Sequence, residues 1–257
     1  PQVSLKQGFD GEWRVQPPQS VGEEGFFRTE LRSLQIRNAD LVVGPLSRTS
    51  IVELPEGVTS STLILLQNVN LRVRFSGPDN QTVSMIVGGR LNSGAFQVRG
   101  EGQLDTRQTN LAVQVQQLLI ESVNPLLGGG VFVRNGLLSS NLDLKYRPGA
   151  TDPLTVKGTA RLRKGDIVVS ELPSALQDIN GTIVLDGVGG SLENSSLKFG
   201  PILVKATGQV DKRQGHDLAI AIPEVSLEQV AEAFAQPLPI KAAGQFQVNT
   251  TVTGPME

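Results

Sequence analysis

The fold of this chain is decided by a stretch of sequence that it carries twice. Residues 98–108 read Val-Arg-Gly-Glu-Gly-Gln-Leu-Asp-Thr-Arg-Gln, and residues 204–214 read Val-Lys-Ala-Thr-Gly-Gln-Val-Asp-Lys-Arg-Gln. The two stretches lie 106 positions apart and share Val, Gly, Gln, Asp, Arg and Gln. Self-similarity at a long period predicts a repeat architecture, in which each unit buries its apolar face against its neighbours.

The similarity extends to both sides of this stretch in the same order. Residues 111–113 match residues 218–220, residues 66–70 match residues 176–180, and residues 40–43 match residues 166–169. The offset drifts between these segments, as loop insertions would make it do. We therefore divide the chain into a lead-in segment, 1–27, a first repeat, 28–150, and a second repeat, 151–257, continuous with the first in one sheet.

Apolar and polar residues alternate along most of the chain, which is the pattern of strands with one apolar face. Residues 71–75 read Leu-Arg-Val-Arg-Phe, and the alternating arginines, with Arg161 and Arg163, are expected to face solvent. Short turns between the segments favour antiparallel pairing. The predicted fold is all-β: about sixteen strands in a long antiparallel sheet, on the order of 75 Å in length. We expect this sheet to curve into a trough with an apolar interior and to carry one or two short helices.

One helix is predicted in the second repeat. Ser226 can cap it, Gln229 stands three residues later, and Pro237 and Pro239 stop it. The matching segment of the first repeat, 121–127, contains Pro125 and is expected to form one helical turn at most.

The apolar members of the alternating segments are the candidate lining of the trough. Aromatic residues make up only 4% of the chain, which favours an aliphatic groove over the interlocked core of a two-sheet sandwich. The candidate groove residues are Leu71, Val73, Phe75, Val83, Met85, Val87, Leu111, Val113, Val115, Leu142, Leu144, Ile183, Leu185, Ile202, Val204, Leu218, Ile220, Ile222, Phe246 and Val248.

Composition argues against several classes of function. The net charge of −2 provides no basic excess for nucleic acid, and the absence of cysteine removes thiol catalysis and zinc–thiolate sites. The single histidine, His216, follows Gln214-Gly215 and is expected in a solvated turn, without a metal cluster around it. Asp105 and Asp211 occupy matching hairpins, where aspartate bonds its own backbone. We expect no enzyme, no catalytic or metal site and no cofactor.

The second repeat resembles a known family. Residues 179–187 read Ile-Asn-Gly-Thr-Ile-Val-Leu-Asp-Gly, and a similar cadence of glycine, proline and alternating apolar residues runs through 206–211, 225–230 and 244–255. Residues 28–257 resemble the AsmA/TamB group, and within it TamB and its cyanobacterial and plastid-envelope relatives. The resemblance implies a β-groove protein of the periplasm, or the equivalent intermembrane space. It also implies an inner-membrane anchor outside this sequence and an outer-membrane partner of the Omp85 class.

Three functions remain open on the sequence. The resemblance implies a role in outer-membrane biogenesis, with the groove conducting phospholipid between the inner and outer membranes. The alternative is a chaperone-like scaffold for the translocation and assembly of outer-membrane proteins, in which the free edge of the sheet adds a strand of unfolded polypeptide. The third is a structural β repeat without a ligand. Bound acyl chains would favour the first, affinity for strand peptides the second, and a dry closed core the third.

Overall fold

A computed structural model describes residues 5–7, 13–15, 32–43, 64–77, 80–127, 130–235 and 244–255. Two short strands, β1 (Leu5–Gln7) and β2 (Trp13–Val15), pair as a separate antiparallel sheet. The first repeat contributes β3 (Ser33–Val43), β4 (Ile64–Ser76), β5 (Thr82–Leu91), β6 (Gly94–Gln103), β7 (Thr109–Leu119), a 3₁₀ helix (Ile120–Leu126) and β8 (Val131–Tyr146). The second contributes β9 (Leu154–Val169), β10 (Leu176–Gly187), β11 (Gly189–Phe199), β12 (Ile202–Asp211), β13 (Gly215–Ser226), α1 (Leu227–Ala233) and β14 (Gln245–Gly254).

Strands β3 to β14 form one antiparallel sheet of twelve strands, each paired with its neighbours in the sequence. The sheet does not close, because β3 and β14 each pair on one side only within the described residues. The predicted all-β fold is thereby confirmed. Among the described residues the long sheet has twelve strands where about sixteen were predicted, and several of them are long: β8 and β9 have 16 residues each. At about 4.8 Å per strand, the sheet measures about 53 Å across its twelve strands.

The duplication is visible in the register of the sheet. In the first repeat, Ile36 pairs with Leu71, Ala39 with Val69 and Leu41 with Leu66. In the second repeat, the corresponding pairs are Leu162 with Gly181, Gly165 with Ile179 and Ile167 with Leu176. These pairs correspond at constant offsets of 126 and 110 residues, the offsets at which the sequence segments match. Each repeat is therefore the same six-stranded unit, and the pairing of β8 with β9 joins the two units into one sheet.

The same bulges bend both repeats. In β4 and β10, Asn68 and Asp178 adopt φ values of 51° and 50°, and one residue of each strand is left out of the ladder. Asn70 fixes the first bulge: its Oδ1 accepts from the N–H of Asn38 at 3.2 Å and its Nδ2 donates to Asn68 O at 2.9 Å. Asn180 makes the equivalent bonds in the second repeat, to Lys164 N at 3.0 Å and Asp178 O at 2.7 Å. Bulges increase local twist, so this line of bulges is where the sheet bends.

The structure corrects the alignment of the stretch that reveals the repeat. Gly100 pairs with Leu111 and Gly208 pairs with Leu218, so β6 and β12 correspond at an offset of 108 rather than 106. The second repeat also has an additional bulge at Asn194, which the first repeat lacks. A shift of two residues keeps every side chain on the same face, so the predicted faces survive the correction.

The packed core occupies one end of the sheet. The buried hydrophobic residues all lie at or beyond the line of bulges, at the end that carries the two helices; among the described residues they are Val69, Leu91, Ile120, Val133, Ile202, Val225 and Ala233. Ala233 of α1 packs with Ile202 and Val225. In the first repeat the 3₁₀ helix lies against β8, where the Asn124 side chain bonds both the N–H and the C=O of Val133, at 2.8 and 2.6 Å. Each repeat thus covers one end of its own apolar face.

The two helices have the sequence signals expected of them. Ser226 and Gln229 form a capping box: Ser226 Oγ accepts from Gln229 N at 3.2 Å, and Gln229 Oε1 accepts from Ser226 N at 2.8 Å. The helix ends at Ala233, and Pro237 and Pro239 lie outside the described residues. The segment of the first repeat is longer than the single predicted turn, with seven residues in a 3₁₀ helix.

The opposite end of the sheet curls. Asp152, in the loop between β8 and β9, forms ion pairs with Arg213 and Lys212, in the turn between β12 and β13; Lys212 Nζ is 3.6 Å from Asp152 Oδ1. In a flat sheet these two connections would be about 19 Å apart, because four strand spacings separate them. The sheet therefore curls between β9 and β12, and the loop closes the remaining distance. The side chain of Arg213 donates to Asp152 and holds the pKa of that carboxyl below its ordinary value.

Candidate functional site

All twenty candidate groove residues lie on one face of the sheet, which we call the apolar face. Directly paired residues share a face, and an unbroken chain of pairs leads from Val113 through Leu142, Gly158 and Leu185 to Gly190, and on to Val210 and His216. His216 and Leu218 are two residues apart in β13 and so face the same way. The triplets Leu111, Val113, Val115 and Leu218, Ile220, Ile222 therefore share a face, as the duplication predicts.

The apolar face is open in the part of the sheet that lies between the line of bulges and the curled end. Between the bulges and the curled end, no described hydrophobic side chain is buried; Leu71, Val113, Leu142 and Leu218 are half-buried, and Ile183 is 44% exposed. With strands of about six residues on this side, this part of the sheet has a footprint of about 50 by 20 Å. Contiguous apolar surface that is left open on a protein marks a candidate interaction site.

Three of the candidate residues belong to the packed end and not to the open face. Ile202 is 5% exposed and packs in one cluster with Val225 of β13 and Ala233 of α1. Val204 and Ile222 pack against this cluster. They stabilise the helix that closes the groove at this end and are poorly placed to meet a ligand. Phe246 pairs with Val225 but remains 40% exposed, because it lies on the edge strand β14.

The register adds residues to the apolar face that the sequence pattern did not single out. Phe96 and Val98 of β6 pair with Val115 and Val113, and Ile36 pairs with Leu71. The alternation in residues 95–99, Ala-Phe-Gln-Val-Arg, is enough to predict that Phe96 and Val98 share one face. The further members are Leu34, Val156, Leu192, Val210 and Val252.

Glycines make the apolar face uneven in the second repeat. Gly158 lies between Leu142 and Leu185, and Gly208 lies between Leu192 and Leu218. Their φ values are 129° and 146°, and an added Cβ would overlap the backbone carbonyl of the neighbouring strand in both cases. Only glycine fits these positions, and it leaves gaps in the rows of aliphatic side chains. A ligand could approach the backbone of β9 and β12 closely at these gaps.

The opposite face is polar and contains a basic concavity. Arg72, Arg74 and Arg99, with Lys145 and Lys157, line a hollow of about 630 Å³ together with Glu101 and Asp143. The predicted exposure of Arg72, Arg74, Arg161 and Arg163 is confirmed. Net charge alone did not indicate this local excess of cations. Because it lies behind the apolar face, it does not place a charge in the groove.

His216 is not the solvated turn residue that its sequence context suggested. The turn ends at Gln214, and His216 lies in β13 on the apolar face, half-buried and paired with Gly254. Its ring occupies the space that a side chain at residue 254 would fill, since a Cβ added to that glycine would lie 3.1 Å from the ring. The aspartates do serve as turn residues. Asp211 accepts from Arg213 N at 2.7 Å and Gln214 N at 2.9 Å, and Asp105 accepts from Thr106 N at 2.7 Å.

The chemistry available on the apolar face is burial of apolar surface. The described carboxylates with a lowered pKa are Asp152, Asp211 and Glu228, and all three lie in turns or at a helix cap, where Arg213 or backbone N–H groups stabilise the charged form. Within the described ranges, no group of three or more metal-ligating side chains occurs. No helix in the described part of the chain is long and apolar enough to cross a membrane.

Comparison with known proteins leaves the chain without a match: no family model, no curated protein and no solved structure corresponds to it.

Proposed function

We propose that this chain is a segment of a TamB-like protein whose apolar face conducts phospholipid acyl chains between two membranes. The observation that carries the proposal is the open apolar face, on which rows of half-buried aliphatic side chains lie between the bulges and the curled end of the sheet. Such a surface is costly in water, and an acyl chain lying on it would be favoured by about 0.8 kcal/mol for each buried methylene.

The rows suit a ligand that moves along them. In the first repeat, aliphatic residues of neighbouring strands stand side by side, as in Val98, Val113 and Leu142, so an acyl chain crossing these strands meets a similar surface at each step. None of these side chains can donate or accept a hydrogen bond that would fix one position. A conduit needs this property, whereas a carrier of one specific ligand needs polar anchors.

The twelve strands belong to a single sheet, which distinguishes this architecture from a two-sheet sandwich with a dry core. The periplasmic location, the inner-membrane anchor and the Omp85-class partner rest on the sequence resemblance to the AsmA/TamB group. They form part of the proposal as the setting in which an acyl-chain conduit would work.

The proposal is tested by native mass spectrometry of the purified chain, with solvent extraction and identification of whatever co-purifies. We expect diacyl phospholipid bound to the folded chain, and loss of it in the Val113→Asp and Ile220→Asp variants but not in Gln114→Asp. Val113 and Ile220 occupy equivalent positions on the apolar face, and Gln114 lies exposed on the other face. A lipid-free protein that also fails to take up phospholipid from vesicles would refute the proposal.

A further inference from the structure

The basic hollow on the polar face is built from six consecutive strands, β4 to β9. One row of directly paired residues crosses all of these strands and consists of Arg72, Ile86, Arg99, Ala112, Asp143 and Lys157. A second row, nearer the curled end, adds Arg74, Glu101 and Lys145. Directly paired residues share a face, so these charged side chains all stand on the polar side of the sheet.

The polar face is concave where these rows run. Five strand spacings separate Arg72 from Lys157, which is about 24 Å in a flat sheet. Both residues nevertheless line one hollow of about 630 Å³. This volume lies within the roughly 300–1,000 Å³ of pockets that hold small molecules. A flat membrane surface cannot follow the floor of such a hollow, whereas a small molecule can enter it.

The hollow carries an excess of positive charge. Its lining includes two carboxylates, Glu101 and Asp143, and five cations: Arg72, Arg74, Arg99, Lys145 and Lys157. Three positive charges are therefore in excess. Among the described residues, no carboxylate forms an ion pair with any of these cations, although elsewhere in the sheet Lys198 pairs with Asp178 at 2.6 Å. The cations of the hollow are thus left to an anion from outside the sheet.

The arginine side of the hollow is the more strongly cationic part. Lys157 lies directly opposite Asp143 and Asp186, so its charge is partly offset. Arg72 and Arg99 stand on either side of an uncharged residue of β5, about 10 Å apart. Their long side chains can converge on one anion across this distance, and each guanidinium can donate two parallel hydrogen bonds to a phosphate.

We propose that this hollow binds a soluble small molecule that carries two or more phosphate groups, with Arg72, Arg74 and Arg99 as its main contacts. One phosphate group carries at most about two negative charges, fewer than the three positive charges in excess, so a second group is needed to neutralise the hollow. A nucleic-acid strand fits less well, because Glu101 and Asp143 would repel its evenly spaced phosphates. The site uses no side chain of the apolar face, so it stands or falls separately from the proposed function.

The probe for this site is pyrophosphate, titrated into the purified chain at low salt in a calorimeter. We expect one molecule bound per chain, and a Kd that rises about tenfold or more in each of Arg72→Gln and Arg99→Gln. The matched control is Arg161→Gln, which removes the same charge from an exposed residue on the polar face of β9 outside the hollow. It should change the Kd by about twofold at most. All three arginines are exposed, so circular dichroism should show the variants folded.

A substitution of the opposite sign distinguishes a built site from diffuse attraction. Glu101→Gln removes a carboxylate from the lining and should lower the Kd several-fold, whereas Glu193→Gln, exposed on β11 away from the hollow, should leave it unchanged. Equal effects of Arg99→Gln and Arg161→Gln, or no binding of pyrophosphate at millimolar concentration, would overturn the proposal. Flotation with phosphatidylglycerol vesicles tests the other source of phosphate, and we expect no binding there. Vesicle binding that depends on Arg99, without binding of pyrophosphate, would identify a membrane surface as the occupant and overturn the proposal as well.

Discussion

A carboxylate placed on the apolar face tests the groove most directly. Val113 stands between Val98 and Leu142 in the rows of the open face and is half-buried. Replacing it by Asp removes about half of the 1.5–3 kcal/mol that full burial of valine contributes, so we expect the free energy of unfolding to fall by about 0.75–1.5 kcal/mol. A domain with the usual stability of about 5–15 kcal/mol remains folded after this loss.

The effect on ligand binding should be larger than the effect on folding. A charged carboxylate keeps its water, so an acyl chain cannot make dry contact with the surface around it. If about three methylenes lose their contact at about 0.8 kcal/mol each, binding weakens by about 2.4 kcal/mol, or about 50-fold. The assay is titration with a fluorescent acyl-chain probe, after circular dichroism and thermal unfolding have shown that the variant is folded.

The matched control is Gln114→Asp, one residue away on the exposed polar face. It should change the affinity by no more than about twofold, because exposed substitutions away from special sites stay within about 0.5 kcal/mol. The reasoning is refuted if Val113→Asp folds and binds the probe as tightly as the unmodified chain. Unfolding of Val113→Asp would instead place Val113 in a packed core and favour the ligand-free structural repeat.

Further predictions concern the two ends of the sheet. Asp152→Asn should open the curled end, seen as a larger radius of gyration in small-angle scattering. Because Arg213 lowers the folded-state pKa of Asp152, the unmodified chain should hold this contact above the ordinary pKa of aspartate and lose it as the pH falls through the lowered value, whereas the variant should lack this dependence. Ser226→Ala should lower the free energy of unfolding by about 1 kcal/mol through loss of the capping box, and equal melting curves would contradict the cap. Asn70→Ala and Asn180→Ala should each lower the free energy of unfolding by about 1–2 kcal/mol. The loss in the double variant should equal the sum of the two within about 0.5 kcal/mol, because the two bulges are separate and share no hydrogen bond.

The fold could be read from the sequence because it depends on local signals. Alternation with period two places Leu111, Val113 and Val115 on one face whatever the neighbouring strand is, and a repeat predicts that the same is true of Leu218, Ile220 and Ile222. The capping box at Ser226 and Gln229 is likewise local, since both of its hydrogen bonds lie within four residues. These predictions are confirmed by the pairing and by the helix cap.

Register was harder to predict because it depends on which residues are left out of the ladder. The sequence aligned Gly102 with Gly208, but the ladder aligns Gly100 with Gly208. The predicted position of His216 in a turn was also wrong, because Gly215 begins strand β13 and does not extend the turn. Bulges are settled by pairing between strands, which a single sequence does not contain.

By itself, the sequence determined that this protein is an antiparallel β repeat with one aliphatic face, because side-chain alternation and duplication are properties of the chain. Only the tertiary structure decided which part of that face is open. Ile202 and Leu218 have the same alternating pattern, yet α1 packs over Ile202 while Leu218 stays on the open side of the bulges. The basic hollow of Arg72, Arg99 and Lys157 is also a product of tertiary structure, because it brings together strands far apart in a chain whose net charge is slightly negative. Burial and local charge depend on what each residue packs against, and that is fixed only when the sheet bends and its helices close one end.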